Sequence, residues 1–323
     1  MNVKFIVNRI FYTFFMFLFV VTFNFALFRL MPGDPLSMVS KEIKSSPEVK
    51  AAMLKMYGLD KPMGVQYLNY VKSMATFNFG TSFNYSIPVS EVLFSKIKAS
   101  IILAAWALPL GILIGVILGI IASAFHGKKT DSILTTTSMV IYAIPSFWLA
   151  MILLLYFGVK LRLVPIYGIT TPGMSYASYF SYYKDMALHL AIPVLSYAIA
   201  IFGSYFLIMR SSMLDVFAED FILTARAKGL PRKRIIMRHV VPNALLPIST
   251  IVITSIALMF TGSFSIEILF SWPGVGRLMI EAVTKQDYPL LQALNYLIAL
   301  AVIIANLIID ILYGYLDPRV RVA

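Results

Sequence analysis

Six apolar stretches constrain this chain more than anything else in it; they lie near residues 8–30, 99–125, 133–159, 188–210, 244–270 and 291–316. Each is long enough to cross a hydrocarbon core of ~30 Å, which takes about 20 helical residues. At 59% hydrophobic and 13% charged residues, with a mean hydropathy of +0.83, the chain has too little polar surface to fold in water. Lipid is then its solvent. Inside lipid each backbone N–H and C=O must be satisfied within its own segment, so the stretches read as helices. The expectation is an all-α membrane protein with six transmembrane helices. The first stretch reads as a retained helix rather than a leader, because its apolar run is too long and no small-residue cleavage site follows.

The net charge of +12 raises nucleic acid as a partner. Lys- and Arg-rich cytoplasmic loops explain that charge more simply, and no soluble basic domain exists to bind nucleic acid. Cysteine is absent, which removes disulfides, thiolate metal ligands and a Cys nucleophile.

Orientation follows from the basic residues. With the N-terminus inside, the cytoplasmic segments hold Lys4, Arg9, Lys128, Lys129, seven in 210–243, Arg319 and Arg321. The short outer loops hold Lys160, Arg162, Lys184, Arg277 and Lys285. Thirteen against five places both termini in the cytoplasm. The organisation expected is a first helix over 1–30, an outer helical insertion over 31–98, a five-helix core over 99–316 and a tail over 317–323. In the insertion, Ser46-Pro47-Glu48 reads as a helix start and Gly58 as its stop. Asp60 and Pro62 begin a second helix, with Met63, Tyr67, Leu68, Val71 and Met74 at helical spacing and Gly80 closing the pattern.

The loop from Arg210 to Asn243 holds seven of the 27 Lys and Arg residues and reads as structured. A helix is expected from Asp215 to Lys228, with Phe217, Ala218, Phe221, Ile222 and Ala225 on one face and Glu219 and Arg226 on the other. Lys228 favours the helix C-terminus. Gly229 can take the left-handed conformation that ends a helix, and Pro231 blocks continuation. A second helix starts at Pro231 and carries Arg232, Lys233, Arg234 and Arg238, with Pro242 and Pro247 marking the return into the membrane. Small residues at Ala225, Ala227 and Gly229 permit close approach of another backbone. The residues alone leave two readings: an amphipathic loop on anionic headgroups, or a docking surface for a partner.

TARAKGLPRKRIIMRHVVPNALLP resembles the signature loop of permease subunits of binding-protein-dependent ATP-driven (ABC) importers. That pattern runs Glu-Ala-Ala, three residues, Gly, nine residues, Ile-x-Leu-Pro. Counted from Gly229, this chain has Leu223, Thr224 and Ala225 first and His239, Val241 and Pro242 last, so the Glu is missing. Thr-Ala-Arg-Ala-Lys-Gly is the form of the dipeptide, oligopeptide and nickel branch. Further stretches are similar to the same branch, in order along the chain. They are Arg29-Leu30-Met31-Pro32-Gly33-Asp34-Pro35, Tyr57-Gly58-Leu59-Asp60-Lys61-Pro62, Phe79-Gly80-Thr81-Ser82 and Phe270-Ser271-Trp272-Pro273-Gly274-Val275-Gly276-Arg277-Leu278. Asp287-Tyr288-Pro289 and Leu316-Asp317-Pro318-Arg319 complete the set. The chain is thereby identified as similar to the B-type permease of that branch.

The resemblance implies the type I importer permease (MetI-like) fold. It implies a heterodimer with a paralogous permease, two cytoplasmic ATPase subunits and an extracellular substrate-binding protein, in the cell membrane. Phe217, Phe221, Thr224, Ala225, Arg226, Ala227, Lys228, Gly229 and Leu230 would couple to the ATPases. Pro32, Gly33, Asp34, Pro35, Trp272, Pro273, Gly274 and Gly276 would form outer-loop motifs. The implied cargo is a di- or oligopeptide, with nickel or a metal chelate as the alternative within the same architecture. No cofactor is expected in this chain, and ATP and Mg would sit on the partner subunits. Gly127-Lys128-Lys129-Thr130 lacks the preceding Gly and spacing of a phosphate loop.

Other residues carry less. Asp310, with Asn306 one turn earlier, is an intramembrane polar site. One carboxylate without a relay is a poor proton path, so a structural partner for Arg or backbone is the favoured role. Glu267 and Arg29 are expected to snorkel at helix ends, and Trp272 and Tyr288 to join the outer aromatic belt. His126, His189 and His239 are scattered, which disfavours a metal centre. The Met residues read as gap-fillers. No Gly-x-Ser-x-Gly elbow is present. Gly111, Gly115 and Gly119 form a ladder on which another helix can pack closely; its partner is not readable.

Overall fold

A computed structural model describes residues 3–30, 60–259 and 263–316. Pro32, Gly33, Asp34, Pro35, the Ser46-Pro47-Glu48 cap, Gly58 and the 317–323 tail lie outside the described residues. Within them the chain is helical, with one isolated bridge between Thr81 and Pro88. Five helices are long and apolar enough to cross a membrane, and a sixth span results if one bent pair counts as one. The chain is therefore an all-α, multi-pass membrane protein, as its apolar periodicity indicates.

Contacts divide it into two compact units, Met1–Lys98 with Gly274–Ala323, and Ala99–Pro273. In the first, α1 (Val3–Leu30) packs along α12 (Tyr288–Leu316), with α2 (Met63–Ala75) against α1. Val21, Met74 and Tyr296 form their small core. Polar residues within the apolar helices are tied across it. Asn24 donates to the Tyr70 hydroxyl at 2.8 Å and to the Gln292 carbonyl at 3.2 Å. Arg9 lies 3.1 Å from Asp310. An Arg partner is the structural role favoured for Asp310 above. α11 (Val275–Thr284) leads into α12, and Asp287 caps α12 by accepting from the Leu290 N–H at 3.3 Å. Asp287 also accepts from the Ser82 hydroxyl and from the Asn84 N–H at 3.0 Å, which fastens the 81–88 loop. Beside it the Tyr85 hydroxyl donates to Glu281 at 2.7 Å. Burial, and then that carboxylate, push the Tyr85 hydroxyl up to about 12, so it remains a donor.

The second unit is built on α6 (Tyr179–Phe217), against which α4 (Lys129–Ala143), α5 (Ser146–Leu153) and α9 (Val241–Ala257) pack. α3 (Val89–Ala124) joins it through the glycine ladder. A Cβ on Gly115 would lie 2.5 Å from the Phe202 carbonyl oxygen and 2.7 Å from Tyr205 Cβ. Gly111 and Gly119 stand equally close to Ile201 and Met209. The partner of the ladder is thus a helix of this same chain.

Two spans differ from the sequence expectation. The stretch 133–159 is not one helix: α4 ends at Ala143 and α5 leaves at 96°. Pro145 is the cause, since its ring forces Ile144 out of the helical region, to φ −74 and ψ 128. α5 then continues as a π-helical stretch, Leu154–Lys160. The stretch 244–270 is also divided. α9 ends at Ala257, and a short α10 (Phe264–Leu269) follows.

Candidate functional site

The stretch 215–228 is interrupted rather than the one helix expected, while a further helix does start after Pro231. α6 runs on to Phe217, Glu219 is extended at φ −73 and ψ 144, and α7 (Asp220–Ala227) starts afresh. This break decides which side chains face inward. Ile222 and Ala225 are buried in a cluster with Tyr205, Met209, Met213, Ile235, Ile236 and Val240, and Phe217 packs against it. Phe221 and Ala218, expected on the same face as Ile222 and Ala225, stand exposed, and Leu223 is exposed as well. Thr224, Arg226, Ala227, Lys228 and Gly229 are also exposed, and Leu230 is half-buried. Phe221 is 43% and Leu223 56% exposed, on different sides of the buried Ile222–Ala225 stripe, with Arg226 and Lys228 exposed after them.

α7 ends as Gly229 suggests. Gly229 has φ +71, its N–H donates to the Arg226 carbonyl at 2.9 Å, and the Leu230 N–H reaches the Ala225 carbonyl at 3.4 Å. These paired bonds close the helix on a left-handed residue. Pro231 then caps α8 (Arg232–Ile235), which continues through a π-helical turn, Ile236–Val240, into α9. The loop is thus continuous with two long helices, and Arg232 ties it to α3 by donating to the Ala124 carbonyl.

A charged cluster that sequence reasoning missed braces the same end of the unit. The Arg210 guanidinium grips Asp131 at 2.7 and 2.9 Å, and Asp131 also accepts from the Gly127 N–H at 3.2 Å and lies 2.9 Å from His126. It joins α6 to the start of α4. We predict that Asp131→Ala, which leaves Arg210 unpaired and three-quarters covered, destabilises the chain by roughly 3 kcal/mol. A fall in the thermal unfolding midpoint in detergent measures it; an unchanged midpoint would contradict the bracing role.

At the other end of this unit, Glu267 does not snorkel. It is fully buried and accepts from Ser100 at 2.6 Å and Ser263 at 2.8 Å. Those hydroxyls give the buried side chain hydrogen-bond partners in place of water. Trp272 likewise is no lipid-facing belt residue: it is fully buried, and its indole N–H donates to the Ala99 carbonyl at 2.8 Å. Pro273 follows it, half-buried. In the first unit Gly274 begins α11 with an extended backbone, φ −94 and ψ −173, and Gly276 is buried in its first turn. Tyr288 is 9% exposed and packs edge-on to Phe28. Arg29 lies 5.4 Å from the Phe25 ring, and Asn306 is exposed on α12. No group of three metal-ligating side chains occurs among the described residues.

Comparison with known proteins addresses what kind of chain carries this loop. The family model described as the binding-protein-dependent transport system inner membrane component matches residues 111–322, and its N-terminal companion matches 2–104. The dipeptide transport system permease protein DppB of Escherichia coli (strain K12) is 32% identical over 318 residues, covering 94% of both chains. The oligopeptide transport system permease protein AppB of Bacillus subtilis (strain 168) is 33% identical over 303 residues, again with 94% of each covered. The di/tripeptide transport system permease protein DppB of Pseudomonas aeruginosa is 34% identical over 315 residues with the same coverage.

Proposed function

Because the chain belongs to the family of binding-protein-dependent transport system inner membrane components, we propose that it is the B-type permease subunit of an ATP-driven importer of di- and oligopeptides. The observation that carries the reading is α7: a short helix, closed at Gly229 and anchored by Ile222 and Ala225, that leaves Phe221, Leu223, Arg226 and Lys228 exposed. Exposed aromatic and Arg side chains on an anchored helix suit a protein partner. The occupant proposed is the ATPase subunit, and 217–231 transmits its motion. A peptide cargo is supported by relatives named for dipeptide, oligopeptide and di/tripeptide transport.

In this reading both termini and α7 face the cytoplasm, and a paralogous permease completes the path. Two ATPases carry ATP and Mg, and a binding protein delivers cargo to an outer face formed partly by 31–98 and 271–290. ATP-driven closure of the ATPases pushes α7, and the helices swing between inward-open and outward-open arrangements. The chain itself performs no chemistry.

The test is ATP hydrolysis by the chain co-purified with its partner permease and ATPases in lipid nanodiscs, with the binding protein added. Mixed peptides are expected to raise turnover several-fold above the unloaded binding protein, and nickel or nickel chelates to leave it unchanged. Stimulation by nickel species alone would keep the architecture and overturn the cargo.

A further inference from the structure

Behind α7 the second unit encloses an open cavity of about 750 Å³. Its lining holds Arg226, Arg232 and His126 together with Leu214, Phe217, Leu230 and Ile235. Among the described residues no acidic side chain lines it. The nearby carboxylate Asp131 is already gripped by Arg210, and among the described residues neither Arg226 nor Arg232 forms an ion pair. Arg232 is held in place by its bond to the Ala124 carbonyl, two residues before His126.

The mixed lining selects the ligand. Guanidinium forks match phosphate oxygens in geometry and charge. A free phosphate would satisfy the arginines and leave the half-buried Leu214, Phe217 and Leu230 facing water. An amphiphile satisfies both, and basic pockets at the ends of membrane helices suit anionic headgroups. We propose that this cavity binds the phosphate of an anionic phospholipid, with the start of an acyl chain against Leu214, Phe217, Leu230 and Ile235. The lipid then lies behind the docking helix while Phe221 and Leu223 remain available to a protein partner. Placing the site in the cytoplasmic leaflet rests on the orientation proposed above. Binding itself does not depend on cargo or ATPase.

The experiment places the chain, with whatever transport subunits accompany it, in nanodiscs of phosphatidylcholine with or without phosphatidylglycerol. Released protein is read by native mass spectrometry. Wild type is expected to retain one more phosphatidylglycerol per chain than Arg226→Gln/Arg232→Gln, and no phosphatidylcholine in its place. Lys128→Gln/Lys129→Gln removes the same charge nearby but outside the cavity and is expected to retain lipid as wild type does. If losing the Arg232 bond to Ala124 unfolds the double variant, Arg226→Gln alone serves, with retention lowered several-fold. Equal retention by wild type and the arginine variants overturns the proposal, as does equal loss in the lysine pair. A soluble arm adds inorganic phosphate or glycerol phosphate to phosphatidylcholine discs. Arginine-dependent thermal stabilisation there, without retained phosphatidylglycerol, would assign the cavity to soluble phosphates and overturn the lipid.

Discussion

A Gly229→Val variant is expected to reach the membrane at the wild-type level and to lose peptide-stimulated ATP hydrolysis in the assembled importer. A Cβ at Gly229 meets nothing within 4 Å, so no clash is involved. The whole effect lies in φ +71, which an L-residue adopts at a cost of roughly 1–2 kcal/mol. A β-branched residue is worse still in this region. The chain relieves the strain by unwinding the turn, which releases the Gly229-to-Arg226 and Leu230-to-Ala225 bonds and rotates the end of α7. Loss of coupling on the order of tenfold or more follows, since ~1.4 kcal/mol is a factor of ten. Gly229→Asn, whose side chain tolerates this conformation, should retain most of the stimulation. Parallel assays of surface amount and ATPase stimulation decide the matter. Normal stimulation by Gly229→Val would mean that the α7 turn is not the transmitting element.

Gly115→Val should fail earlier, at folding. Two of the atoms its Cβ would meet, the Phe202 oxygen at 2.5 Å and the Phe206 nitrogen at 3.0 Å, belong to the backbone of α6. A backbone cannot rotate aside as a side chain can, so α3 and α6 must separate along the ladder. Overpacking of this kind costs about 1–3 kcal/mol even where side chains yield, and a rigid neighbour places the loss at the upper end or above it. The variant is expected to give little monodisperse protein and a lowered unfolding midpoint. Gly64→Ala, on α2 in open space and without a left-handed φ, should unfold near the wild-type temperature. Wild-type yield and midpoint for Gly115→Val would show that α3 and α6 do not meet as described.

The apolar segments, the α7 stop and the glycine ladder are legible because each depends on residues close in sequence. Gly229 and Pro231 signal a left-handed stop, whatever surrounds them. Ile144-Pro145 was equally visible, but a proline within an apolar run can kink a span or break it, and packing against α6 chooses between them. The exposure of Ala218 and Phe221 beside the buried Ile222 and Ala225 has a related cause: one extended residue, Glu219, resets the helical phase for everything after it. Ser263 precedes Glu267 by four residues, a spacing that puts both on one helical face and was readable. Ser100, 167 residues away, was not. The same applies to Asp131 and Arg210, whose separation of 79 residues no local pattern reveals. Docking on α7 is suggested by the motif, whereas the cavity lined by His126, Phe217, Arg226 and Arg232 emerges only when α3, α6 and α8 come together.

α6 has a mechanical consequence. Its 39 residues span about 58 Å at 1.5 Å per residue, nearly twice the ~30 Å of the hydrocarbon layer. A helix of that length extends beyond the layer unless it tilts strongly, and α7 follows its C-terminal end after only Ala218 and Glu219. The glycine ladder holds α3 directly against its 198–209 stretch, with no α3 side chain between to absorb a movement. Pro193, inside α6, lacks the N–H that would complete the helical ladder and is the point at which the helix yields. A sideways push at Phe217 is therefore carried as by a single lever up to Pro193, its hinge.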